Sequence, residues 1–195
     1  MPTSRKPPID INGLLTAEYE YISQTAAEAH EDRSRVSSFY LIAVGSLVAA
    51  LFGTKVFDGG EFNPSSTTLL TVLFTLLTFL GTSTVVQLGR LRVAWYQSML
   101  AMNKIKEFAI KHNPELANAY LWKTGSLPKP DKKKTISYYQ VIEVSVISGL
   151  MMSAAVFFLV LTFRSTVGVL HWAIAVPLGI AMIFVEFALY KWSLK

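Results

Sequence analysis

Few residues in this chain have types and spacings that could do chemistry. Thr68, Thr71, Thr75, Thr78 and Thr82 recur at spacings of three and four. That rhythm places them on one face of a helix. Such a hydroxyl row has two uses. It can line a water-filled path, or each hydroxyl can bond back to its own helix or across to a neighbour. Glu143 and Glu186 are the acidic residues inside long apolar stretches. A charge in hydrocarbon costs at least about 2.5 kcal/mol, so each needs a counter-charge or water. Arg90, Arg92 and Lys191 are the candidate counter-ions. Again two uses are open: a cation or proton site, or a buried ion pair that fixes the helices.

Enzymatic chemistry has little to stand on. His30, His112 and His171 are scattered. The run His30-Glu31-Asp32-Arg33-Ser34 lacks a second histidine four residues after the first, so it is not a zinc-protease helix. The chain has no glycine-rich phosphate loop and no nucleophile elbow. Its zero cysteines remove disulfides and thiolate chemistry. The expectation is a non-enzyme with no catalytic, metal-binding or cofactor-binding residues.

The elements that position these residues follow from composition. Apolar residues make up 52% of the chain and charged residues only 16%, where a soluble domain carries about 25% charged. The deficit lies in four stretches, 39–56, 67–88, 141–163 and 167–190. Each approaches the roughly 20 apolar residues needed to cross a bilayer. Burying four such helices inside a soluble protein would leave only half the chain to cover them. The predicted fold is all-α, with four transmembrane helices whose longer members extend into a cytoplasmic helical layer.

Basic residues set the expected orientation. All lysines and arginines except Lys55 and Arg164 fall in the N-terminal segment, the 89–136 segment or the C-terminus. That pattern predicts both termini in the cytoplasm, and the first 38 residues contain no apolar signal-peptide core. The net charge of +5 is then a topology signal. The Lys132–Lys134 run suits a flank near anionic lipid, and no nucleic-acid partner is expected.

Residues 1–15 read as a flexible cytoplasmic tail. Thr16 is a candidate helix cap. Leu15, Tyr19, Ile22, Ala26 and Ala29 form a heptad-like stripe over 16–38, continuous with the first span. Gly59, Gly60 and Pro64 mark a turn before the second span. That span should run on past Trp95 to about His112, followed by a short helix over Glu115–Trp122. After a Pro/Lys linker, a third helix should open at Ser137 or Tyr138. Pro177 is expected to kink the fourth. The apolar stripes beyond the spans need partners, and Tyr19 and Trp95 are candidate contact residues for a second copy or a soluble cytoplasmic partner. Small residues recur at every fourth position: Gly45, Ala49 and Gly53; Ser145, Gly149 and Ser153; Ala175 and Gly179. Such rows let helix backbones approach closely, within or between subunits. Tryptophans and tyrosines near the span ends read as interfacial anchors.

Two segments carry a resemblance. In EYEYISQTAAEAHEDRSRVSSFYLIAVGSLVAAL (Glu18 to Leu51) an acidic helix with an Asp-Arg pair runs directly into a span. RLRVAWYQSMLAMNKIKEFAI (Arg90 to Ile110) follows the second span and contains Trp95, Tyr96, Asn103 and Lys104. The match covers about Glu18 to Ile110, roughly half of the chain. The arrangement resembles the RipA-type octameric membrane proteins of bacteria and is similar to the SLATT-like two-span effectors of prokaryotic conflict systems. This chain has two hairpins where SLATT-like effectors usually have one. The resemblance implies a bacterial inner-membrane protein that self-associates, as an octamer on the RipA pattern, and that forms a channel-like or membrane-perturbing assembly. A membrane-anchored scaffold and a proton- or cation-coupled transporter are the alternatives.

Overall fold

Residues 10–53, 63–164 and 166–195 are described by the computed structural model. Arg5, Lys6, Lys55, the last residues of the first span, and Gly59 and Gly60 lie outside the described residues. Among the described residues the regular structure is helical. Helix α1 spans Ile11–Gly53, α2 spans Pro64–His112, α3 spans Ile136–Phe163 and α4 spans Val169–Ser193. Two short 3₁₀ turns, Pro114–Asn118 and Thr124–Ser126, separate α2 from α3.

The helix ends follow capping chemistry. Asp10 opens α1: its carboxylate accepts the Gly13 N–H at 3.0 Å and its carbonyl accepts the Leu14 N–H at 3.1 Å. Thr16, the expected cap, therefore lies inside the helix, because a carboxylate upstream already satisfies the first free donors. Asn63 caps α2 through the Ser65 N–H at 3.1 Å. Pro64, read as part of a turn, is instead the first residue of α2, where its missing N–H costs nothing. Thr135 caps α3 by accepting the Tyr138 N–H at 3.3 Å. The short helix expected over Glu115–Trp122 is a 3₁₀ turn started by Asn113 and Pro114. Helix α4 runs unbroken through Pro177.

Each of the four helices is long and apolar enough to cross a membrane. At 1.5 Å per residue, α3 and α4 are about 42 and 38 Å long, which suits a hydrocarbon layer of roughly 30 Å plus its interfaces. Helices α1 and α2 have 43 and 49 residues, so each projects well past such a layer. This is the architecture of a multi-pass membrane protein.

Helix α2 is the hub. It packs against α1, α3 and α4, whereas α1 and α4 make no close backbone approach to each other. Among the spans the core holds Tyr40, Leu70, Phe74, Val85, Val141 and Phe158. Phe74 and Phe158 stack with ring centroids 5.7 Å apart. A smaller cluster of Ile22, Ala26 and Met102, flanked by Trp95 and Met99, joins the projecting parts of α1 and α2. Tyr190 closes the first cluster, and the buried Arg33 and Arg92 lie near it at the basic end of the spans.

Candidate functional site

The buried face of α4 runs through His171, Ala175, Gly179, Glu186, Tyr190 and Ser193, at spacings that keep one side of a helix inward. Glu186 is thereby carried to the centre of the bundle, where it is 0% exposed. Its Oε1 accepts the Ser148 hydroxyl of α3 at 2.5 Å and the Thr82 hydroxyl of α2 at 3.1 Å. Both hydroxyls also reach the Thr78 carbonyl of α2, Ser148 at 3.3 Å and Thr82 at 3.0 Å. Tyr40 of α1 joins from the fourth side. Its hydroxyl and that of Ser148 would lie 2.8 and 2.6 Å from a methyl group placed on Gly81. Gly81 thus makes the room that lets the two hydroxyls come together.

This geometry can serve two charge states. A hydroxyl has one proton to give. With an ionised Glu186, Ser148 and Thr82 donate to Oε1. With a protonated Glu186, the carboxyl donates to Ser148, and Ser148 donates onward to the Thr78 carbonyl. The same four oxygens accommodate both arrangements by rotating hydroxyl hydrogens, without moving a helix. Oε2 of Glu186, the Tyr40 hydroxyl and the Ser145 hydroxyl are also buried here, Ser145 beside Glu186 and Tyr40 beside Ser148.

The expected counter-ions do not reach Glu186, which is a correction. Arg90 lies over the Trp192 ring at 5.4 Å and Arg92 over the Trp95 ring at 4.9 Å. Lys191 is exposed. The reason is axial distance. Arg90 and Arg92 follow Thr82 by about 12 and 15 Å along α2, at 1.5 Å per residue. Among the described residues the ion pairs are those of Arg35 with Glu31 at 2.8 Å and Asp32 at 3.0 Å. Glu143 is exposed, because five residues before Ser148 puts it about 140° around α3 from the buried face.

The threonine row bonds back to its own helix. Thr68, Thr71, Thr75, Thr78 and Thr82 each donate to the carbonyl four residues earlier, at 2.7 to 3.0 Å. Thr78 is buried while Thr68 and Thr75 are exposed, so the row follows the edge of the packed face of α2. Thr82 also bonds to another helix, donating to the Glu186 carboxylate. Of the small-residue rows, Ser145 and Gly149 are buried and Ser153 is half-buried. Ser153 donates to the Ala175 carbonyl at 3.0 Å. Gly45, Ala49 and Gly53 lie exposed on α1. Tyr19 borders a groove of about 570 Å³ with Leu15, Ile105, Lys106 and Tyr120. Trp95 lines a smaller cleft of about 210 Å³ with Met99, Trp122 and Pro128.

Sequence reasoning named Thr82, Ser145 and Glu186 but not Tyr40, Gly81 or Ser148. A weak signal was present: Ser148 follows Ser145 by three residues in an otherwise apolar helix, on the same face. No protein-family model, curated protein or solved structure matches this chain.

Proposed function

We propose that this chain is a non-enzymatic, multi-pass protein of a bacterial inner membrane whose working element is a proton-binding carboxyl group, Glu186. The supporting observation is the convergence of all four helices on that group. Its hydroxyl partners can reverse their donor direction as a proton arrives or leaves. An ionisable residue inside a span is a functional candidate by default, since its cost selects against it elsewhere. A proton exchanged here couples to packing, because Tyr40, Thr82 and Ser148 belong to three other helices. With both termini in the cytoplasm, the basic end faces inward, and protons reach Glu186 from that side.

The test is proton flux. Purified protein in liposomes, loaded with a pH-sensitive dye, is driven by a potassium diffusion potential. Wild type is expected to move protons, Glu186→Gln to lose that activity, and Glu143→Gln to keep it. Equal flux in wild type and Glu186→Gln would remove Glu186 from the mechanism.

A second reading, self-association into a channel-like or membrane-perturbing assembly, is favoured by the exposed Gly45, Ala49 and Gly53 row and by the likeness to RipA-type and SLATT-like proteins. It predicts particles of several copies in native-like lipid, with an octamer suggested by the resemblance alone. A strictly monomeric mass in lipid nanodiscs would end that reading.

A further inference from the structure

A second group of buried charges lies apart from Glu186. Arg33 of α1 and Arg92 of α2 are only 4% and 6% exposed. Arg92 is close enough for its charge to act on Arg33, and the buried Tyr190 of α4 lies within the field of both. Burial pushes the pKa of each guanidinium down, and at Arg33 the neighbouring Arg92 adds to the effect. Both nevertheless stay charged, since an arginine starts so far above neutrality. Two like charges close enough to act on each other are thus withdrawn from water. Such a pair costs several kcal/mol unless something of opposite sign meets it.

Among the described residues, neither arginine has a carboxylate within ion-pair distance. Arg33 Nη2 lies 3.0 Å from His30 Nδ1, and its Nε is buried with no partner. Arg92 donates to the Pro130 carbonyl over a long 3.4 Å and rests on Trp95. Asp131 is exposed. It makes no ion pair with either arginine among the described residues. The adjoining linker adds exposed Lys129, Lys132, Lys133 and Lys134, which deepen the positive potential.

Depth points to the ligand. Arg33 precedes the first apolar stretch at Phe39 by about 9 Å, and Arg92 follows the second at Leu88 by about 6 Å, at 1.5 Å per residue. A bilayer's headgroup zone extends roughly 5 to 7 Å beyond the hydrocarbon on each side. Arg92 falls within that zone and Arg33 about 2 Å beyond it, a gap that a long arginine side chain spans, so the pair can meet phosphate at the membrane boundary. Guanidinium forks match phosphate oxygens in pairs, which gives specificity as well as charge.

We propose that Arg33 and Arg92, beside Tyr190, form a binding site for a phosphate group at the membrane boundary, supplied either by an anionic lipid headgroup or by a soluble phosphate. The site is independent of proton exchange at Glu186.

Native mass spectrometry of the full chain, released from nanodiscs of phosphatidylcholine with phosphatidylglycerol, tests the lipid source. Wild type is expected to retain phosphatidylglycerol over phosphatidylcholine by about tenfold, a difference of about 1.4 kcal/mol. Arg33→Gln with Arg92→Gln should abolish that preference. Neutralising Lys132, Lys133 and Lys134 to Gln should leave most of it. Thermal stability in pure phosphatidylcholine nanodiscs with added inorganic phosphate tests the soluble source. A melting shift in wild type that the double variant lacks would assign the site to free phosphate. Should the double variant fail to fold, Arg92→Lys keeps the charge but loses the fork, and a weakened preference is expected. Wild type with neither lipid preference nor phosphate shift overturns the proposal. So does a preference that survives in the double variant or disappears with the lysines alone.

Discussion

Gly149 of α3 and Gly179 of α4 face each other across a tight seam. A methyl group on Gly179 would lie 2.5 Å from the Gly149 carbonyl oxygen, and one on Gly149 would lie 2.8 Å from that of Gly179. On α1, Gly45, Ala49 and Gly53 have the same four-residue rhythm, yet an added methyl group at Gly45 or Gly53 meets nothing within 4 Å among the described residues. The difference teaches what the spacing of small residues can mean. It permits close approach, but closeness is realised only where a second row, here Ala175 and Gly179, comes to meet it. Helices in lipid gain little from the hydrophobic effect on meeting, so packing contacts and hydrogen bonds decide which rows pair.

The contrast can be broken most severely at Gly179. Gly179→Leu should force α3 and α4 apart, with a loss of about 3 kcal/mol or more from overpacking. Thermal unfolding followed by circular dichroism measures this, and a wild-type melt would mean that the seam does not hold the pair together. Removing a polar link at the centre is milder. Ser148→Ala deletes the shortest donor to Glu186 and should cost about 1 to 3 kcal/mol, because the acceptor stays buried. Milder again, Ser153→Ala removes the bond to the Ala175 carbonyl, for about 0.6 kcal/mol. A drop as large as that of Ser148→Ala would place the weight of the seam on hydrogen bonding and not on close approach. Thr75→Ala, on the exposed edge of α2, should change stability by less than about 0.5 kcal/mol. Smallest of all for the single chain is Gly45→Leu, expected to leave the melt unchanged within about 0.5 kcal/mol. Its effect is instead expected on the particle mass in nanodiscs, since a leucine there would block approach by a second copy. An unchanged mass distribution would assign that face to lipid.

The same division runs through the polar residues. The four apolar helices were legible from length and hydropathy, because a bilayer sets a fixed distance that a helix must cover. The stripe linking the projecting parts of α1 and α2 was legible from its spacing, since Ile22 and Ala26 recur on the face that meets Met102. Helix starts were less so. Thr16 carried a valid capping side chain, but Asp10 stood earlier and its carboxylate bonded first. The counter-ions proposed for Glu186 failed for a reason invisible in composition: the register between α2 and α4 sets Glu186 level with Thr82, a long way short of Arg92.

Sequence by itself determined that four apolar helices exist, that two of them outrun any bilayer, and that the basic residues gather toward one end. These properties are local or one-dimensional: hydropathy, length and charge along the chain. Tertiary structure decided which of two intramembrane glutamates is buried, which small-residue rows pair, and that Arg33 and Arg92 are buried near each other with no ion pair among the described residues. Those outcomes depend on the rotation and register of one helix against another. A rotation of about 100° per residue is enough to exchange a buried carboxyl group for an exposed one.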